Sequence, residues 1–290
     1  GCGKTVASES IMRLTSGRIT KGSVMFAGKD LIQLTERQMR AIRGSEISMI
    51  FQDPMTSLNP TIPVGKQLVE GILQHTNKSK SKAKQVVLEM LELVGIANPV
   101  ERLKQYPHQF SGGMRQRIMI AMALVCQPSV IIADEPTTAL DVTIQAQILE
   151  LFKKIQKETG VSIILITHDL GVVAQVADRI AIMYAGKVVE IGNRREIFYD
   201  PQHPYTRGLL HSVPRIDSDE ETLFPIPGTP PDLFSPPQGC PFAPRCAQAM
   251  EVCDHYYPIT TRKSDSHKVD CWLQDDRAKK VDFATKVNAF

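Results

Sequence analysis

The sequence predicts an α/β protein built on a largely parallel sheet, with a helical insertion and a small, loop-rich C-terminal extension. Three observations lead there. Apolar runs at residues 130–133, 161–167 and 179–184 read as buried strands. Between the first two, residues 141–158 carry Ala146, Leu149, Phe152 and Ile155 near one helical face. Strand, helix, strand, helix, strand is the pattern of an α/β layer. Past Ser212 the composition shifts. Nine of the 19 prolines fall between Pro214 and Pro244, which bars continuous helix or central strand.

The elements follow in chain order. Residues 6–14 place Ala7, Ile11 and Leu14 at helical spacing, so a helix starts directly after Gly3-Lys4-Thr5. Residues 22–26 read as a short strand that turns at Gly28, and residues 47–51 as a second strand. Residues 54 to about 128 read as mostly helical, with Pro54, Pro60 and Pro63 interrupting the entry. The basic, polar stretch 77–84 reads as a solvated helix face. Ala185-Gly186-Lys187 turns the chain into a last strand at 188–191. The proline-rich stretch then reads as a linker to a cysteine-bearing end with little apolar core. The expected domains are therefore 1–212 and 213–290.

Length and composition bound the function. At roughly 150 residues per domain, 290 residues suggest about two domains. A 42% hydrophobic and 22% charged chain has enough apolar material for a core, which excludes disorder over its whole length. The 34 basic and 31 acidic residues leave +3, too balanced to argue for nucleic acid. The longest apolar run, 118–126, has nine residues, whereas a membrane span needs about 20. Six cysteines are too few for a disulfide scaffold, yet four lie between Cys240 and Cys271. No basic-then-apolar signal segment opens the chain, which argues for a cytoplasmic protein. The opening Gly1-Cys2-Gly3-Lys4-Thr5 lacks a Met, so we expect the sequence to begin inside a longer protein.

Chemistry-bearing residues recur at element ends. Gly3-Lys4-Thr5 supplies the last three positions of a phosphate loop, G-x-x-x-x-G-K-[ST], and opens a helix. Gly1 and Cys2 would fill the preceding positions, and the first glycine would fall upstream. Backbone N–H groups at such a helix start bind phosphate; Lys4 would reach the β/γ-phosphates and Thr5 would ligate Mg²⁺. A chance Gly-Lys-Thr turn is the plain alternative, and residues further along decide it. An apolar strand ends in Asp134-Glu135, suited to holding Mg²⁺ through Asp134 and polarising water through Glu135. The alternative, two solvated acids at a strand end, is common for one acid and less so for a pair. A second buried strand delivers His168 at its C-terminal edge, where ligands bind in α/β sheets. Phe110-Ser-Gly-Gly-Met114 begins another helix with Ser111 as cap, and Gly112 and Gly113 let a phosphate approach the backbone. One triphosphate pocket does not need two such helix starts. Two make sense if each serves a different copy of the protein.

The order Gly-Lys-Thr, Gln52, Ser-Gly-Gly, Asp-Glu, Ala139-Leu140-Asp141, His168 resembles the ATP-binding-cassette ATPases. That resemblance covers residues 1 to about 170. It implies a P-loop NTPase core, an inserted helical subdomain at about 54–128 that receives a membrane partner, and N-terminal strands absent from this chain. It also implies a head-to-tail dimer with an identical or related ATPase, each ATP lying between the phosphate loop of one and Ser111-Gly112-Gly113 of the other. By the same match Gln52 senses Mg²⁺ and water, and Asp141 crosses the dimer interface. The family's Leu-Ser-Gly-Gly-Gln reads Phe110-Ser-Gly-Gly-Met114 here, with the phosphate-facing residues intact.

Further segments narrow the resemblance. Phe51-Gln-Asp-Pro-Met-Thr-Ser-Leu-Asn-Pro60, Pro136-Thr-Thr-Ala-Leu-Asp-Val-Thr-Ile-Gln-Ala-Gln147, His203-Pro-Tyr-Thr-Arg-Gly-Leu-Leu210, Pro225-Ile-Pro-Gly-Thr-Pro-Pro231 and Gly239-Cys-Pro-Phe-Ala-Pro-Arg-Cys246 resemble the ATPase subunits of oligopeptide/dipeptide importers. Nickel importers and some peptide exporters share much of this. The resemblance implies a peripheral ATPase on the cytoplasmic face of the membrane. It would drive peptide uptake through two permease subunits fed by an extracytoplasmic binding protein, with no nucleic-acid role. A non-transport cassette protein of DNA repair or translation would be expected to show a long coiled-coil insertion or two cassettes; neither is present. A redox or metal sensor rests only on Cys240, Cys246, Cys253 and Cys271. Their spacings lack the tight C-x₂-C pairs of zinc sites, and four unrelated reduced thiols stay open. Resembling importers include members whose tail holds a [4Fe–4S] cluster, which tilts the expectation to iron, with Zn²⁺ the alternative.

Overall fold

The computed structural model describes residues 2–53, 57–138, 140–212 and 226–278. Gly1, Pro54, Ala139, Pro214 and Pro225 lie outside the described residues, as do the rest of 213–225 and residues 279–290. The described residues gather into two compact units. Thr5–His168 form one; those of Gly1–Lys4 and Asp169–Phe290 form the other.

From Thr5 onward the first unit takes in α1 (Lys4–Ile11), whose packed face is the expected one only in part: Ile11 packs against a local core. Ser8 and, just past the helix, Met12 are buried, while Ala7 is exposed and Leu14 is 46% exposed. Met12 joins Leu31, Met39, Ile47 and Ile132 in a local core, a larger apolar contact than the Ala7 methyl offers. The early strand is shorter than expected. It is a hairpin of β1 (Met25–Phe26) and β2 (Lys29–Asp30), turned by Ala27 and Gly28, which both take left-handed φ values of 47° and 77°. Thr35 and Gln38 form a capping box that starts α2 (Glu36–Ile42). Next comes β3 (Ile47–Ile50); Phe51 lies beyond it, 39% exposed.

Among the described residues the helices α3 (Val64–His75), α4 (Lys80–Leu93), α5 (Pro99–Arg102) and α6 (Gly112–Leu124) follow. α3 buries Val64, Leu68 and Ile72, and α4 buries Ala83, Val87 and Leu91. Both sets repeat every four residues, giving one apolar stripe per helix. α6 lies between these helices and the sheet and is buried nearly all round, from Ile118 to Leu124. The sheet itself is parallel, in the order β3, β4 (Val130–Asp134), β5 (Ser162–Ile166). β4 is central, so both its faces are covered and its sequence is continuously apolar up to Asp134. α7 (Val142–Thr159) connects β4 to β5 and buries Ile148, Leu149, Leu151, Phe152 and Ile155. Ala146, expected on that face, is exposed, because the stripe runs through Ile148 and Leu151 instead.

The second unit holds α8 (Leu170–Val176), β6 (Arg179–Tyr184), β7 (Lys187–Asn193), α9 (Arg194–Tyr199), α10 (Pro204–His211), α11 (Glu251–His255), β8 (Thr260–Arg262) and β9 (Lys268–Asp270). Its sheet has the order β6-β7-β9-β8 and is antiparallel throughout. The third apolar run is therefore not hydrogen-bonded into the parallel sheet. The two-residue turn at Ala185–Gly186 makes β6 and β7 a hairpin, and a hairpin is antiparallel by construction. The expected boundary at 212–213 falls inside this unit, since tail strand β9 pairs with β7. Nor does the tail lack apolar packing: Phe242 is buried with Ile180, Ile182, Tyr184, Val189 and Ile197. Glu190 of β7 and His267 of the tail form a buried pair at 2.7 Å. Among the described residues no helix is long and apolar enough to cross a membrane.

Candidate active site

The C-terminal edge of the parallel sheet carries the acids. Asp134 ends β4 opposite Ile166 and is 2% exposed. Glu135 takes a left-handed φ of 46°, which ends the strand's alternation, while its N–H still donates to the Ile166 carbonyl at 2.9 Å. Its carboxylate gathers partners from three directions in the chain, Gln52, Thr138 and His168 among them. The Gln52 amide donates to Oε2 at 3.2 Å and the Thr138 hydroxyl to the same oxygen at 2.9 Å. His168 Nδ1 stands 3.4 Å from Oε1. Gln52 follows β3, Glu135 follows β4 and His168 follows β5, so adjacent parallel strands deliver all three to one place. The Glu135 side chain is 17% exposed and that of His168 65%: a shielded carboxylate beside an open imidazole.

A second group forms where two helices start together. Ser111 caps α6, accepting the Met114 N–H at 3.4 Å, and Asp141 caps α7, accepting the Ile144 N–H at 2.9 Å. A Cβ on Gly113 would lie 2.9 Å from Ile144 Cγ2, so only glycine lets these helix starts approach so closely. Gly112 has open space around its Cβ position.

The residues expected to form a phosphate loop begin α1. Gly3 has φ 84°, Lys4 is the first helical residue, and the Thr5 carbonyl accepts the Ser8 hydroxyl at 2.7 Å. The Cys2 carbonyl accepts the Gly186 N–H at 3.0 Å. Thr138 went unnoticed in the sequence; the available signal was a hydroxyl three residues after a strand-end acid.

All six cysteines are free thiols. Cys240, Cys246, Cys253 and Cys271 line one cavity of about 20 Å³ together with His203, Phe242 and Trp272. That volume suits about one water. Burial, relieved in part by backbone N–H groups and reinforced by the neighbouring thiols, pushes Cys246 up to about 11 and Cys271 up to about 12. All four are soft sulfur donors in one place. Among the described residues, however, no three His, Cys, Asp or Glu stand where they hold a metal ion.

Residues 1–138 match the ABC transporter family, and residues 189–253 match the oligopeptide/dipeptide transporter C-terminal region. The chain is 67% identical over 282 residues to the dipeptide transport ATP-binding protein DppD of Bacillus subtilis (strain 168), covering 96% of this chain and 84% of that protein. It is 56% identical over 293 residues to the oligopeptide transport ATP-binding protein OppD of the same organism, covering 100% and 82%. Among solved structures, it is similar to the dimeric, post-hydrolysis state of the ATP-binding cassette MJ0796 bound to ADP and Pi. The TM-score is 0.59 at 28% identity, over 67% of this chain and 82% of that one.

Proposed function

This chain belongs to the ABC transporter family, as an ATP-binding subunit of the oligopeptide/dipeptide kind, and on that premise we propose how its residues hydrolyse ATP to drive peptide uptake. The observation that carries the scheme is the Glu135 carboxylate, held by Gln52, Thr138 and His168. Glu135 takes the proton of a water whose oxygen attacks the γ-phosphorus; the bond to the β-phosphate oxygen breaks and ADP leaves. Gln52 and His168 orient that water and the phosphate it attacks. Lys4 and the N–H groups that open α1 stabilise charge on the phosphates. Cys2 and Gly3 shape that loop. Thr5, Asp134 and Gln52 would hold Mg²⁺, hard oxygen donors suiting a cation that neutralises phosphate charge.

Ser111, Gly112 and Gly113 complete the site of a second ATPase copy, identical or related, and Asp141 lies at that interface. What supports this is a second phosphate-type helix start beside the Asp141 cap, and the dimeric state of the MJ0796 cassette. The assembly sits at the cytoplasmic face of the membrane on two permeases, with residues 54–128 as the docking subdomain, and an extracytoplasmic binding protein delivers the peptide. Residues 1–212 supply the engine and 213–290 the extension. In that extension Cys240, Cys246, Cys253 and Cys271 would supply the thiolates for a [4Fe–4S] cluster, with Zn²⁺ the alternative, only after leaving the positions they take here, where no three of them are placed to hold a metal. The support is four soft donors sharing one cavity. Loading must part the loops around that water-sized void and remove the thiol protons.

Glu135→Gln tests the engine. It keeps the size and the hydrogen bonds but loses the base. ATP binding should persist while turnover falls about 10²–10⁴-fold. Steady-state hydrolysis within a few-fold of wild type would show that Glu135 is not the base.

A further inference from the structure

Two of the hydrogen bonds on the Glu135 carboxylate fall on the same oxygen. The Gln52 amide donates to Oε2 at 3.2 Å and the Thr138 hydroxyl donates to it at 2.9 Å, while His168 Nδ1 stands 3.4 Å from Oε1. An ionised carboxylate only accepts, so both groups must present a hydrogen to it. The shorter contact comes from the nearer residue. Thr138 lies three positions on, in the turn that carries the chain from β4 toward α7. Its N–H also donates to the Glu135 carbonyl, at 3.3 Å. Backbone and side chain of Thr138 thus hold Glu135 at both of its ends.

Glu135 depends on such a hold. Its φ of 46° is a conformation that L residues rarely adopt and that persists only where the surroundings enforce it. Its side chain has several rotatable bonds, and a base works only while its oxygen stays within hydrogen-bond reach of the water it deprotonates. Thr138 is exposed, whereas its neighbours Pro136 and Thr137 are buried. The Thr138 side chain therefore adds little to the core, and a change there can be read at the carboxylate.

Proton bookkeeping separates the two carboxylate oxygens. A carboxyl group protonated at Oε1 keeps Oε2 as a carbonyl-type acceptor with two lone pairs, so the bonds from Gln52 and Thr138 both survive. Protonation at Oε2 would take one of those lone pairs and displace a donor. We propose that Thr138 is a positioning residue of the hydrolysis reaction: with Gln52 it anchors Glu135 through Oε2, so that Oε1, on the His168 side, takes the proton of the attacking water. The O–H bond of that water breaks as its oxygen bonds to the γ-phosphorus, and the bond to the β-phosphate oxygen breaks as ADP leaves. The proposal rests on the reading of Glu135 as the base.

The test measures ATP hydrolysis by the full chain carrying Thr138→Val or Thr138→Ser, with Glu135→Gln as the reference. Thr138→Val keeps the branched shape and loses the hydroxyl; Thr138→Ser keeps the hydroxyl. In Thr138→Val, kcat should fall about threefold to thirtyfold with the KM for ATP within about twofold, because the lost contact acts on proton transfer and not on bound ATP. Losing a donor to the charged form makes the carboxyl harder to ionise, so the acidic limb of the kcat–pH profile should move up by about half a unit to one unit. Thr138→Ser should restore both. A merely structural role for the turn would lower kcat with the limb unmoved, and that result overturns the proposal. Wild-type kcat and limb in Thr138→Val, beside an inactive Glu135→Gln, overturn the positioning role and leave the base reading standing. A Glu135→Gln protein that hydrolyses ATP within a few-fold of wild type overturns the base reading and this proposal with it.

Discussion

Glu190→Ala should detach the tail from the sheet it completes. The Glu190 carboxylate is 1% exposed and accepts three donors: the N–H groups of Gln202 and His203, and His267 Nε2 at 2.7 Å. Truncation leaves two backbone donors and an imidazole buried without their acceptor. Each such group costs about 1–3 kcal/mol. We expect a loss of about 3–5 kcal/mol over the three groups, since relaxation and entering water recover part of the sum. For units of this size that is a fall in melting temperature of about 6–20 °C. β9 meets β7 only at Glu190↔Val269 and Ile191↔Lys268, so amide exchange in residues 260–270 should accelerate before the rest of the unit opens. Glu190→Gln, which keeps the shape and one acceptor oxygen, should fall between. A Glu190→Ala protein melting within about 2 °C of wild type, with unchanged exchange in 260–270, would refute the reasoning.

The remaining predictions concern the tail, pH and the helix starts. Anaerobically purified protein should be brown, and Cys240→Ser or Cys253→Ser should remove the colour while leaving Glu135-dependent hydrolysis largely intact. Stoichiometric zinc without iron would redirect the tail to a structural Cys₄ site, and four freely alkylated thiols in native protein would exclude both. Burial, with a smaller contribution from the Arg207 charge, lowers His203 from 6.5 to about 3. Between those values the unfolded chain binds the extra proton, so stability is full above pH 6.5 and falls by about 1.4 kcal/mol per pH unit below it. His203→Asn retains a capping acceptor and should flatten that slope in denaturant titrations at pH 7 and 5; an unaltered slope counts against it. Gly113→Ala places a methyl 2.9 Å from Ile144 Cγ2 and should cost about 1–3 kcal/mol. Adding Ile144→Ala should recover part of that loss in a double-mutant cycle, and full additivity would show that the two do not touch.

By itself the sequence determined whatever is local or periodic. Residues 130–134 and 162–166 had to be strands because they are apolar beyond one face's need, and the stripes of α3 and α4 are written at four-residue spacing. The acids, the histidine and the glycine-led helix starts were legible because strand ends and helix caps restrict which residue types fit. Tertiary structure alone decided which of these meet. Gln52, Glu135, Thr138 and His168 share one carboxylate only because three strands are parallel and in register, and because Glu135 leaves the strand with a left-handed φ. The third apolar run looked like the other two, yet its partner was set by a two-residue turn, which forces an antiparallel hairpin. The tail's attachment was invisible for the same reason. Glu190 and His267 are 77 residues apart, and a buried pair at 2.7 Å leaves no periodic trace in either segment.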